Sequence, residues 1–246
     1  GAIRPIQQVM REAGEKFDPK IYLPAVAGYY TTSKGEMLSF PFNSSTSVFY
    51  YNKDVFAKAG LDPNRAPVTW PEVMAAAAKI KVSGASQCAY TTGWPSWVHV
   101  ENFSAWHNVP IGTRENGMAG LNTVFQINTP LHARHWSNLQ EWSRKGYFTY
   151  GGRRNEAEFK INSPHHVAHI NMLADYAKKG WFTYSGRTNQ GEARFFSGEC
   201  AMLTSSSAAQ ANINRNAKFK YGVAFMPHYA DVAGAPQNSI IGGASL

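Results

Sequence analysis

Two clusters of hydroxyl-bearing residues are the first places in this chain where residue type and position suggest chemistry. Asn43-Ser44-Ser45-Thr46 sits beside a β-prone stretch. Thr204-Ser205-Ser206-Ser207 lies between the end of a second such stretch and the start of a helical one. In open α/β sheets, ligands bind outside the carboxyl ends of strands, and a helix start there offers free N–H groups. Serines add hydrogen-bond donors without bulk, so the pattern suits an anion or a polyol. The same residues also serve as N-caps and loop filler. Gly93-Trp94-Pro95-Ser96-Trp97 offers an apolar platform for the carbon face of a polyol or for a choline headgroup, or else two core tryptophans. Gly242-Gly243 permits close backbone approach to a ligand, or a plain tight turn.

Bond-breaking chemistry finds less support. His132 and His135 stand i, i+3 on one helical stretch, and His166 and His169 repeat the spacing. Zinc needs a third ligand, and none follows at ligand spacing, so these histidines read as a solvated helix face. No metal and no cofactor are expected. The chain has no G-x-S-x-G elbow, Walker loop, G-x-G-x-x-G or H-E-x-x-H sequence. Glu101, Glu115 and Asp231 are isolated in sequence, which leaves pairing in space open.

Composition sets wider bounds. Hydrophobic residues make up 43 % and charged residues 16 % of the 246 positions, which fits a cored globular protein and not a disordered chain. The net charge of +8 suits an anionic partner, but the basic residues are scattered and no nucleic-acid motif is present. Gly1 to Pro5 has no apolar signal region, and Ile3 to Gly14 reads as a helix with Ile6, Val9 and Met10 on one face. The chain therefore reads as truncated at both ends. Cys88 and Cys200 belong to no C-x-x-C pair. Both read as buried strand residues; a disulfide between them is open, without geometric warrant from sequence.

The elements that must position these groups alternate. Strands are predicted over Ser39–Asn52, Cys88–Thr91, Glu199–Leu203 and Tyr221–Phe225. Helices are predicted over Asp54–Ala59, Val98–Trp106 and from about Ala208. Another, Trp70–Val82, opens on the capping box Thr69-x-x-Glu72. This order implies an α/β domain with a mainly parallel sheet. Residues 127–160 and 161–194 form a tandem repeat at an offset of 34, sharing a Thr/Ser-Pro helix start and a Lys-Gly stop. The apolar stripes are Ala133, Trp136, Leu139, Trp142 and Val167, Ile170, Leu173, Tyr176. Both units are expected to fold as a helix plus a short extended segment. The second should hold the place on the sheet, because it leads into the strand at Cys200, and the first should pack outside or loop out.

Pro41 to Thr46, Tyr50 to Asp54, Ala59 to Pro63, Glu101 to Trp106, Gly198 to Met202 and Ala235 to Leu246 resemble the periplasmic glycerol-3-phosphate-binding proteins of ABC importers. These belong to a broad sugar-binding family. The resemblance implies a type II periplasmic-binding fold in which two α/β lobes hinge around a ligand cleft. Residues 44–226 would form the C-terminal lobe, and 1–43 and 227–246 fragments of the N-terminal one. The resemblance carries ligand contact onto Ser45, Trp94, Ser206 and Gly243. It also implies a monomer without catalytic activity, located in the periplasm and partnered by a membrane permease and a small phosphorylated polyol. A binder of neutral sugars and a carbohydrate-active hydrolase are the alternatives.

Overall fold

The computed structural model describes residues 4–150 and 190–243. Its core is a sheet of β1 (Ser45–Asn52), β2 (Cys88–Thr92), β3 (Phe148–Tyr150), β4 (Cys200–Ser206), β5 (Tyr221–Ala224) and β6 (Ile241–Gly242). The spatial order is β3-β2-β4-β1-β5, and β6 pairs with the first residues of β1. Strand β2 lies parallel to β3 and β4. Strand β1 runs antiparallel to β4, β5 and β6, so the sheet is mixed and the expectation of a mainly parallel one is corrected. Strand β1 is central and buries Phe49, Tyr50 and Tyr51, which explains its aromatic, β-prone composition.

Every residue of β2 is buried. Cys88 and Cys200 face each other in the parallel β2–β4 register and are joined by a disulfide across 112 residues of chain. Partner register is a tertiary fact, which is why the sequence left this pairing open.

The helix Trp70–Ser83 packs on this sheet. Thr69 Oγ1 accepts from the Glu72 N–H, the Glu72 carboxylate accepts from the Thr69 N–H, and Gly84 ends the helix in the left-handed region at φ 64°. Val73, Ala76, Ala77 and Ile80 form its buried face, and the alanines allow close approach to the sheet. The helix Pro130–Arg144 starts where the repeat predicts, with Thr129 accepting from the His132 N–H.

Two expectations about that helix are corrected. Its buried stripe is His132, His135, Leu139 and Trp142, whereas Ala133 and Trp136 are exposed. The first repeat unit also neither packs outside nor loops out: its extended segment is β3, which pairs with β2 and is the last strand on that side among the described residues. Residues 161–189 of the second unit lie outside the described residues.

His132 and His135, expected on a solvated face, instead help build a polar seam through the core, a further correction; His166 and His169 lie outside the described residues. His99, His107, His132 and His135 are each at most 1 % exposed. His132 is held by Thr129 Oγ1 at 2.7 Å and Ser104 Oγ at 2.8 Å. His107 donates from Nδ1 to the Phe103 carbonyl and accepts the Tyr229 N–H at Nε2, both at 2.8 Å, which fixes a neutral ring. A chain of hydrogen bonds links Tyr229, His135, His99, Tyr90, Thr204 and Thr92. Trp70 packs against this seam, with its ring 4.9 Å from that of His135 and 5.9 Å from that of Trp142. Burial lowers the His99 pKa to about 3 and that of His107 to about 4, and it also lowers those of His132 and His135.

Candidate ligand-binding cleft

At the end of β4 the chain turns into a 3-10 turn, Ser207–Ala209, followed by the helix Gln210–Asn216. Ser206 caps that turn, its hydroxyl accepting from the Ala208 N–H at 3.2 Å. Ser206 pairs with Ser47 of β1, and that strand begins two residues earlier at Ser45, whose hydroxyl donates to the Gly242 carbonyl at 3.2 Å. Gly243 follows directly. A Cβ there would lie 1.8 Å from the Asn43 carbonyl oxygen, so only glycine fits.

The aromatic wall follows the C-terminal end of β2, which lies beside that of β4. Gly93 donates its N–H to the Thr204 carbonyl at 2.8 Å, and Trp94 then adopts φ 50°, an uncommon backbone for a bulky residue. Residues Trp97–Asn102, where a helix was predicted to begin at Val98, form a π-helical turn that runs into the helix Phe103–Trp106. That turn sends Val98, His99 and Asn102 into the core and leaves Trp97 and Glu101 toward the cleft. Asn102 ties it to the segment leading into β6: its Oδ1 accepts from Ser239 Oγ at 2.9 Å and from the Ile240 N–H at 3.2 Å.

A single cleft of about 590 Å³ takes in Ser45, Trp94, Ser206 and Gly243, the four positions singled out in sequence. Trp97, Glu101 and Glu192 share its wall. Sequence reasoning missed Glu192, whose only signal is an acidic residue in the first turn of the helix Gln190–Phe196. None of the described lining residues is Lys, Arg or His. A depression of about 570 Å³ beside Gln7, Met10 and Arg11 gathers none of the predicted residues. Among the described residues, no group of three His, Cys, Asp or Glu is arranged to hold a metal ion. No described helix is long and apolar enough to cross a membrane. Small hydroxyls, flat indole faces and an exposed backbone edge equip the cleft to hold a polar ligand with an apolar face.

The family model described as bacterial extracellular solute-binding protein matches residues 1–245. The chain belongs to that family. Among solute-binding proteins, it is 45 % identical over all 246 residues to the sn-glycerol-3-phosphate-binding periplasmic protein UgpB of Pectobacterium atrosepticum, covering 48 % of that relative. The Yersinia pestis protein of the same name is also 45 % identical, again with 48 % covered. The chain thus spans about half the length of the curated relatives it matches. UgpB from Mycobacterium tuberculosis, solved in complex with glycerophosphocholine, shares the fold with a TM-score of 0.68 at 19 % identity. That match covers 99 % of this chain and 51 % of the other. A solute-binding protein from Thermotoga lettingae bound with α-D-tagatose gives a TM-score of 0.63 at 17 % identity, covering 98 % and 52 %.

Proposed function

We propose that this chain is about half of a periplasmic solute-binding protein that captures glycerol-3-phosphate or its glycerophosphodiesters for import by an ABC transporter. The observation that carries the proposal is the convergence of Ser45, Trp94, Ser206 and Gly243 on one cleft, from the ends of four separate segments. Ser206 donates a hydrogen bond to a ligand oxygen, Ser45 accepts one from a ligand hydroxyl, Trp94 covers the carbon face, and Gly243 brings backbone close. The protein works by binding and release, without catalysis, as a monomer that meets a membrane permease. Residues 44–226 form its C-terminal lobe, and 1–43 and 227–246 contribute to the N-terminal lobe, which closes over the ligand. The relatives named for glycerol-3-phosphate support this ligand class over neutral sugars.

The test is a titration followed by tryptophan fluorescence, because Trp94 and Trp97 line the cleft. Glycerol-3-phosphate and glycerophosphodiesters, taken to millimolar concentration, should change the emission, and maltose should not compete. Displacement of the phosphate esters by maltose would overturn the assignment.

A further inference from the structure

Asn102 is fully buried at the end of the π-helical turn and is not among the described lining residues, yet segments that build the cleft meet on it. Four successive residues strap onto the turn and the helix after it. The Gln237 N–H donates to the Trp106 carbonyl at 2.8 Å, and the Asn238 N–H to the Ala105 carbonyl at 3.2 Å. Ser239 and Ile240 then both donate to Asn102 Oδ1. A backbone N–H can only donate, so Ile240 fixes the amide with its oxygen toward the strap. The strap passes directly into β6, where Ile241 and Gly242 pair with Thr46 and Ser45. Thr46 closes the join: its hydroxyl donates to the Ile240 carbonyl at 2.8 Å and is hydrogen-bonded to Ser239 Oγ. A Cβ on Gly242 would lie 3.8 Å from the Trp97 indole, in ordinary contact. The aromatic wall and the backbone edge of the cleft thus stand side by side, and the Asn102 side chain ties one to the other.

We infer that Asn102 is a positioning residue for ligand capture: its buried amide sets the spacing between the Trp97 wall and the Gly243 backbone, and affinity depends on it without contact to the ligand. The inference rests on the reading of this cleft as the ligand site. Ser239 is exposed and Ile240 half-buried, so both donors turn to water once the acceptor is gone. Removing the two bonds therefore costs the fold little. It costs the site its order, because a loosened segment must be fixed again each time ligand binds. The other half of the amide points the same way. Asn102 Nδ2 is buried and, among the described residues, has no hydrogen-bond partner, which is a cost to the fold. What the position gains from asparagine is the acceptor, and the acceptor serves the strap.

Amide exchange and ligand titration on the full chain test this together. Asn102→Leu keeps a similar shape without the acceptor. In it the Ile240 amide should exchange at least about tenfold faster by NMR, while the urea midpoint stays close to that of the unmodified chain. The probes are sn-glycerol-3-phosphate and glycerophosphocholine, taken to millimolar concentration and followed by tryptophan fluorescence. Both should bind Asn102→Leu at least about fivefold more weakly. Asn102→Asp, which keeps an acceptor oxygen, should restore slow exchange at Ile240, a rescue that packing alone would not give. Ser239→Ala removes an exposed hydroxyl outside the described lining and leaves the core untouched; it should weaken binding at least about twofold. Unchanged affinity or unchanged Ile240 exchange in a folded Asn102→Leu overturns the inference alone. If that variant does not fold, unchanged affinity in Ser239→Ala overturns it. Silence from both esters with the unmodified chain overturns the reading of the cleft and this inference with it.

Discussion

His99 and His135 share a hydrogen bond in the core, Nδ1 of the first lying 3.0 Å from Nε2 of the second, although 36 residues separate them. Flanked by Tyr90 and Tyr229, the pair has no room for charge. The consequence for pH follows from linkage. The pKa of His99 falls to about 3 and that of His107 to about 4, below the 6.5 of a free imidazole. Below pH 6.5 the unfolded chain takes up protons that the folded one refuses. Stability is therefore full above about pH 6.5 and falls as pH drops toward 4 and 3. Each of these two histidines should cost about 2 kcal/mol by pH 5. Asp231 is held below its ordinary value by its hydrogen bonds from Arg134, so its contribution is lost only at lower pH. Urea unfolding at pH 7 and pH 5 is the check. Equal midpoints at the two values would contradict the neutral, buried seam.

The Cys88–Cys200 bond closes 112 residues of chain between two central strands. By chain entropy alone a loop of that size contributes about 4–5 kcal/mol, and measured contributions are often smaller. Reduction with dithiothreitol, or a double Cys→Ala substitution, should lower the melting temperature by many degrees. A melt unaffected by reductant would mean that the strands hold their register without it.

Ser206→Ala removes both a turn cap and a cleft hydroxyl. In a version extended to the full length of its relatives, it should weaken phosphate-ester binding by about 1–3 kcal/mol, the scale of a hydrogen bond to a charged group. Calorimetry reads this directly, and an unchanged affinity removes Ser206 from the ligand's partners.

The 246-residue chain alone should bind glycerol-3-phosphate with a dissociation constant weaker than about 1 μM, a value that corresponds to about 8 kcal/mol. Its described cleft wall offers no arginine for a two-point phosphate contact, and serine hydroxyls are weaker partners. Ile21, Leu23, Phe42 and Phe225 also remain largely exposed. Calorimetry on the purified chain decides it: tight binding would show that these four segments form a complete site.

Local order was legible from the sequence because local chemistry sets it. The Thr69–Glu72 capping box, the Thr129-Pro130 helix start and the Gly84 stop all stand where their residue types require. The four candidate cleft segments stood out by residue type, although each also suited a cap, a core or a turn, and it was the resemblance that narrowed them to Ser45, Trp94, Ser206 and Gly243. Tertiary structure decided the rest. A helical period of 3.6 fits Ala133 and Trp136 on the inner face as well as His132 and His135. The choice fell to the histidines because Ser104, His99 and Tyr229, distant in sequence, satisfy their ring nitrogens. Strand direction and register, which make β1 antiparallel and join Cys88 to Cys200, depend on which strands meet. The burial of Glu192 was likewise invisible, because it depends on Ser205 and on Gly93 and Gly191, which close packing against Ser205 and Thr92 requires.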